Sequence, residues 1–290
     1  MAIRLLALDL DGTLLNPRGE LTERNRAAVQ AAREAGVYVT VVTGRRFRDA
    51  RPLVWQLGLD DVPLISHNGA LTKHVNTLET VSATLLPREA AREVLRVGRD
   101  AGADALVSTD PHGAGVMLYE RISAGNRALE AYLHWSERIH GPEGHESVRR
   151  VASLDEHLAE EPIHMSFSGS CAPMAALQIL LEQELGDTVK IYATIYPPRD
   201  FTLLDILNPA ASKAFGLAAA AAEINATPAE IMAVGDNFND LSMLQYAGTP
   251  VVMANADEQL RNTHGFHRTA ANSEDGVAQA IEKFILQATR

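Results

Sequence analysis

The chain has 290 residues, 46% of them hydrophobic and 22% charged, enough for two domains with proper cores and too apolar for a disordered chain. Lys and Arg number 26 against 37 Asp and Glu, a formal charge of −11, so neither a nucleic-acid backbone nor an anionic membrane surface is an expected partner. The densest basic stretch, Arg45-Arg46-Phe47-Arg48, is short and runs into Asp49. No segment approaches the roughly 18 consecutive apolar residues of a membrane span. The N-terminus carries Asp9 where the apolar stretch of a signal peptide would run, and the expected location is cytoplasmic. The single cysteine, Cys171, excludes an internal disulfide and argues against a Cys-based zinc site; with no helix signal or charge partner nearby, it is expected to be a small buried or inert thiol.

Ile3–Leu8 is an apolar run ending at an Asp, and Val37–Val42 is a β-branched one ending at Thr43. Similar runs follow at Val62–Ser66, Ile231–Val234 and Val251–Met253. Continuous rather than alternating apolar runs predict strands buried on both faces, as in a parallel sheet. Helical stretches lie between them. Thr22 suits an N-cap, with Val29, Ala32 and Ala35 on one face and Gly36 as the stop. Phe47, Ala50, Val54 and Leu57 have helical spacing, although Pro52 within it predicts a late start or a kink. Lys213–Ile224 and Asp275–Ala288 are the later helices. The alternation predicts an α/β doubly wound, mainly parallel sheet of the Rossmann-like kind.

The middle of the chain has another order: a helix at Arg88–Ala101, strands, a helix near Gly125–Ile139, a Gly/Pro/His-rich loop, a helix at Met174–Leu185, and strands at Val189–Tyr196 and Phe201–Leu207. It reads as an α+β domain, residues 84–207, inserted into a core formed by 1–83 and 208–290. Hinges are expected near Ala83–Leu86 and Asn208–Ala210, stiffened by Pro87 and Pro209.

Three polar clusters each begin where a buried strand ends: Asp9-Leu10-Asp11-Gly12-Thr13, Thr43-Gly44-Arg45 and Gly235-Asp236-Asn237-Phe238-Asn239-Asp240. In an open parallel sheet the C-terminal strand ends share one edge, where ligands bind, so these clusters are expected to meet. Asp9, Asp11, Asp236 and Asp240 in one crevice would repel; two like charges 4 Å apart cost roughly 4 kcal/mol at an effective dielectric of about 20. Cations must offset this. Lys213 supplies one, and an all-oxygen donor set favours Mg²⁺. Carboxylates, Mg²⁺, a Lys, a Thr hydroxyl and backbone N–H groups together make a phosphate site.

In order and strand context these residues resemble the haloacid dehalogenase superfamily, and the inserted domain is similar to that of its Cof-type subgroup, which also has an Asn-Gly-Ala like Asn68-Gly69-Ala70. The resemblance implies that Asp9 is the nucleophile that takes the phosphoryl group and that Asp11 is the general acid/base. It further implies that Asp9, the backbone carbonyl of Asp11, and Asp236 hold Mg²⁺, that Asp240 supports them, and that Leu10, Thr43, Gly44, Lys213 and Asn239 bind the phosphoryl oxygens. The inserted domain is then a cap that selects the substrate. The expected activity is Mg²⁺-dependent hydrolysis of small phosphate monoesters, sugar phosphates or similar metabolites. A phosphosugar mutase of the same superfamily and a non-catalytic phosphate-metabolite sensor are the alternatives. Asp240 also suits a helix N-cap before Leu241–Tyr246, and Arg45 and Arg46 suit either substrate steering or a solvated helix start. His134, His140 and His145, and likewise His264 and His267, are read as surface residues without a ligand role.

Overall fold

Four consecutive apolar residues, Leu5–Leu8, form the first strand, β1, and none of them is exposed to solvent. The computed structural model describes residues 2–59, 63–140 and 144–287. The chain divides into two units, 1–82 with 212–290 and 83–211. The sequence reading put the crossings one residue later at the first boundary and four residues earlier at the second. Asn208 Nδ2 donates to the Leu85 carbonyl and Lys190 Nζ to the Ala211 carbonyl, which ties these crossing segments into the second unit.

In the first unit β1 is followed by Glu23–Glu34 (α1), Tyr38–Val41 (β2), Phe47–Gln56 (α2), Leu64–Ser66 (β3), Leu71–Lys73 (β4) and Thr80–Ala83 (β5), whose last residue already belongs to the second unit. The second unit holds Arg88–Asp100 (α3), Ala105–Thr109 (β6), Val116–Tyr119 (β7), Arg127–His140 (α4), Gly144–Ser147 (α5) and Val148–Arg150 (β8). It ends with His164–Gly169 (β9), Cys171–Leu185 (α6), Lys190–Tyr196 (β10) and Phe201–Leu207 (β11). The chain returns to the first unit with Lys213–Glu223 (α7), Ile231–Gly235 (β12), Leu241–Tyr246 (α8), Thr249–Val252 (β13), Glu258–Arg261 (α9), His267–Arg268 (β14) and Gly276–Ile281 (α10).

The first unit is built on a parallel sheet of order β14-β13-β12-β1-β2, extended beside β2 by a parallel bridge between Val42 and Ile65. From β1 the chain steps outward on one side through β2, and from β12 outward on the other through β13 and β14. The strand order therefore reverses between β1 and β12, the place where an open α/β sheet forms its ligand crevice. Leu5, Ala7, Ile231 and Ala233 on one sheet face pack with Leu217 and Ala220 of α7 and Met243 and Leu244 of α8. Leu6, Leu8, Met232 and Val234 point the other way and are equally buried. Burying each such Leu contributes roughly 1.5–3 kcal/mol, which is why the strands read as unbroken apolar runs. Asn25 ties α1 to α10 by accepting from the Ala278 N–H at 3.0 Å.

Thr22 caps α1 through its hydroxyl, which accepts from Asn25 N–H, as its side chain suggests. The expectation at Pro52 is corrected: α2 starts at Phe47 and runs continuously through the proline. The closing helix is shorter than expected; α10 ends at Ile281 and the chain widens into a π-turn over Glu282–Leu286, while residue 288 lies outside the described residues.

The second unit is a six-stranded sheet of order β10-β11-β9-β6-β7-β8, antiparallel except for β7 with β8. Met165, Phe167, Leu204 and Ile206 on one face pack with Val94 of α3 and Leu177 and Leu181 of α6. On the other face Leu106 and Met117 pack under Leu129 and Leu133 of α4. At Cys171 only the premise of no helix or charged partner nearby is corrected. The residue opens α6, it is half-buried, and its N–H donates to Asp200 Oδ1 at 3.0 Å. Among the described residues no helix is long and apolar enough to cross a membrane.

Candidate active site

Asp9 leaves β1 with its N–H still on the Val234 carbonyl of β12, so the sheet ladder carries it to the strand-order reversal. The chain then turns tightly, with Leu14 N–H on the Asp9 carbonyl and Leu15 N–H on the Leu10 carbonyl. Gly12 makes the turn possible. Its φ is +85°, and a Cβ there would stand 2.2 Å from Asp236 Oδ2. That close approach ties the first cluster to the third. Thr13 completes the link by donating its hydroxyl hydrogen to Asp236 Oδ1 at 2.8 Å.

One oxygen each of Asp9, Asp236 and Asp240 lies within 4.8 Å of the others. Lys213, at the start of α7 and with no exposure to solvent, reaches Asp9 Oδ1 at 2.6 Å and Asp240 Oδ1 at 2.5 Å. Asp240 Oδ2 accepts from the N–H groups of Asp236 and Asn237 at 2.9 and 3.0 Å. Both Asp240 oxygens are therefore committed, and its carboxylate braces the loop; it makes no side-chain cap to α8. Asp9 Oδ2 and Asp236 Oδ2, by contrast, accept from no donor among the described residues.

Burial sets the electrostatics. It raises Asp9 well above the usual carboxylate range; Lys213 opposes the rise, while Asp240 and Asp236 add to it. Burial and the Asp240 charge push Asp236 up to about 7 against the Thr13 hydrogen bond. Burial also works against the Lys213 charge, but Asp240 and Asp9 outweigh it and hold the ammonium firmly protonated. One ammonium thus stands among three crowded carboxylates. Two uncommitted carboxylate oxygens, from Asp9 and Asp236, suit a hard divalent cation such as Mg²⁺, whose charge would draw both groups back to the ionised form.

The second cluster closes the site. Thr43 is buried; its N–H donates to the Ile65 carbonyl, and its hydroxyl oxygen accepts from Arg45 N–H at 3.1 Å. The N–H groups of Leu10 and Gly44 donate to no acceptor among the described residues, which leaves them available to an anion. The segment His67-Asn68-Gly69 runs at positive φ, and a Cβ at Gly69 would stand 1.9 Å from the Ser212 carbonyl, so this turn packs against the start of α7. Asn68 N–H holds the Thr43 carbonyl, and Asn68 Oδ1 accepts from Asn239 Nδ2 at 2.9 Å. Asn68 thereby bridges the second cluster to the third.

All the residues singled out from the sequence, Asp9, Leu10, Asp11, Thr43, Gly44, Lys213, Asp236, Asn239 and Asp240, lie on the segments so connected. Arg45 and Arg46 are corrected: neither is a solvated helix start. Arg45 Nε and Nη2 grip the two oxygens of Asp11 at 2.7 and 2.6 Å, and Arg46 forms a buried fork on Asp49. The roles of Thr13, Arg45 and Asn68 were not assigned from sequence; for Asn68, the Asn-Gly pair directly after a strand was the available signal. His134, His264 and His267 are exposed, with His267 against the Phe284 ring, while the side chains of His140 and His145 lie outside the described residues.

The family profile of haloacid dehalogenase-like hydrolases matches residues 6–281. The Escherichia coli pyridoxal phosphate phosphatase YbhA is 29% identical over 99% of this chain and 100% of its own length. The Bacillus subtilis 5-amino-6-(5-phospho-D-ribitylamino)uracil phosphatase YwtE is 28% identical over 98% of each chain. A solved haloacid dehalogenase-like hydrolase from Bacteroides thetaiotaomicron superposes with a TM-score of 0.80 at 25% identity, covering 97% of this chain and 99% of that one. A profile match over nearly the whole chain, on a fold that gathers the acidic clusters at the reversal point of a parallel sheet, places this chain in the haloacid dehalogenase-like hydrolase family.

Proposed function

We propose that this chain is a phosphatase that hydrolyses small phosphate monoesters with Mg²⁺, through a phosphoryl group carried on Asp9. The observation that carries the reading is the convergence of Asp9, Asp236 and Asp240 within 4.8 Å, with Lys213 between two of them. Asp9, Asp236 and the backbone carbonyl of Asp11 would hold the ion. When bound, Mg²⁺ offsets the negative charge that otherwise keeps a carboxylate nucleophile from a phosphoryl group.

One carboxylate oxygen of Asp9 attacks while the other is left to the ion, and Lys213, on Oδ1, holds the group in place. Lys213 has three N–H bonds and uses two on Asp9 and Asp240, so the third is available to a phosphoryl oxygen. The Thr43 hydroxyl, the N–H groups of Leu10 and Gly44 and the second Asn239 amide hydrogen complete the set, a preorganised array of donors for the charge of the transition state. Asp11 protonates the leaving alkoxide and then takes a proton from the attacking water. Arg45 donates one N–H to each Asp11 oxygen and so holds the carboxyl in place, leaving the second lone pair of each oxygen for the proton.

The phosphatase names of the relatives support a phosphoric monoester substrate, and sugar phosphates or similar metabolites are the class we favour. Phosphate release from p-nitrophenyl phosphate and from a panel of phosphorylated metabolites tests the reading. Release should require Mg²⁺, stop with EDTA and vanish in Asp9→Asn; turnover that survives either treatment contradicts it.

A further inference from the structure

The loop that carries the second cluster runs from Thr43 into the N-terminus of α2 at Phe47. Helix N-termini leave backbone N–H groups without an intrahelical acceptor, and a Ser, Thr, Asp or Asn ahead of the helix ordinarily takes one of them. Here Arg46 stands in that place, and its side chain makes no cap. The acceptor comes instead from a residue 20 positions further on: His67 Nε2 accepts from the Phe47 N–H at 3.2 Å, and both residues are buried. His67 holds the same loop a second time through its backbone N–H, which donates to the Arg45 carbonyl at 2.9 Å. Asn68 N–H takes the Thr43 carbonyl at 3.0 Å. Gly44 lies between these fastenings, and a Cβ there would stand 3.0 Å from Asn68 Oδ1.

The turn that supplies these contacts is itself constrained. His67 and Asn68 have φ of +51° and +54°, and consecutive non-glycine residues in the left-handed region persist only where their surroundings fix them. Such a turn does not need an imidazole, and Asn suits it as well or better. What the ring adds is the acceptor. A backbone amide can only donate, so Nε2 is bare and the neutral ring carries its proton on Nδ1.

We propose that His67 is a positioning residue: its neutral ring caps α2 through Nε2 and thereby fixes residues 43–47, so that the Thr43 hydroxyl and the Gly44 N–H are presented to the phosphoryl group. The role toward the phosphoryl group rests on the phosphatase reading above. Donors fixed before the reaction stabilise transition-state charge without reorganising, so a loosened loop shows as lost rate.

Substitution separates the acceptor from the turn. The side-chain oxygen of Gln lies as many bonds from Cα as His Nε2 does, whereas that of Asn lies one bond nearer, at the place of Nδ1; Asn, in turn, suits the left-handed region better than Gln. With Mg²⁺, kcat/KM for p-nitrophenyl phosphate should fall at least about ten-fold in His67→Asn and stay within about three-fold of wild type in His67→Gln. The opposite order, or two variants that behave alike, overturns the proposal and leaves His67 a turn residue. Calorimetric titration with inorganic phosphate in the presence of Mg²⁺ makes the same comparison without turnover. Binding that weakens at least about ten-fold in His67→Asn and recovers in His67→Gln upholds the clamp even if the wild type releases no phosphate, an outcome that would defeat only the hydrolase reading. Binding equal in all three proteins defeats the clamp alone. Should neither variant fold, ¹⁵N spectra of histidine-labelled wild-type protein decide, since they read the two ring nitrogens separately. A bare Nε2 with a protonated Nδ1 at His67 upholds the proposal, and a proton on Nε2 overturns it.

Discussion

Replacing Lys213 by Met, a side chain of similar length without the charge, removes the one ammonium between Asp9 and Asp240. At 2.6 and 2.5 Å each contact has a gross attraction of roughly 6 kcal/mol at an effective dielectric of about 20, most of it spent on desolvating the fully buried ammonium. The net cost of deleting one member of such a buried cluster is about 3–5 kcal/mol, because the two carboxylates stay buried without a counter-charge. Urea unfolding at pH 8 without divalent ions should show this loss. Without Lys213 the folded-state pKa of Asp9 rises further, and a carboxylate with a raised folded pKa destabilises above that pKa and ceases to do so once protonated. The loss should therefore shrink at pH 5. Adding Mg²⁺ at pH 8 should restore part of it, since a ligand of the folded state stabilises by mass action. A loss below about 1 kcal/mol, or one equal at both pH values, would refute the claim that Lys213 neutralises this cluster.

The other perturbations separate stability from chemistry. Arg45→Ala breaks a fork on a half-exposed Asp11 and should cost under about 1 kcal/mol of stability, yet lower kcat/KM at least about ten-fold because Asp11 loses its orientation; paired melts and kinetics decide. Thr13→Val removes the hydrogen bond that orients Asp236 and should weaken Mg²⁺ affinity roughly 10–100-fold by calorimetry, with little change in secondary structure. Asp205 carries a pH signature: burial raises its pKa from 3.8 to about 7, so the folded chain keeps a proton that the unfolded chain has released. Between those values stability should fall as pH rises, by up to about 4 kcal/mol, and Asp205→Asn should flatten that segment of the curve.

The parallel core was legible because strands buried on both faces cannot alternate; Leu5–Leu8 and Ile231–Gly235 announce themselves. The acidic clusters were legible because each follows such a strand, and the sheet has one edge on which strand ends can meet. What escaped depends on side-chain placement across the chain. The Arg45–Asp11 fork spans 34 residues and the Thr13–Asp236 hydrogen bond 223, and no local pattern encodes either. Arg45 in sequence is merely a basic residue before a helix. Pro52 misled for a related reason: propensity weighs the lost N–H, whereas Phe47, Ala50 and Val54 are buried and hold α2 together through packing. Asp205 sits in a strand whose alternation was visible, but its burial follows from the sheet around it.

The phosphoryl group itself reports the chemistry most directly. Enzyme quenched in acid during turnover of a slow substrate with Mg²⁺ present, then digested and sequenced by mass spectrometry, should carry one phosphoryl group on the peptide containing Asp9, at that residue, and none in Asp9→Asn. Turnover that proceeds with no label on Asp9, or with label on another side chain, would contradict the account.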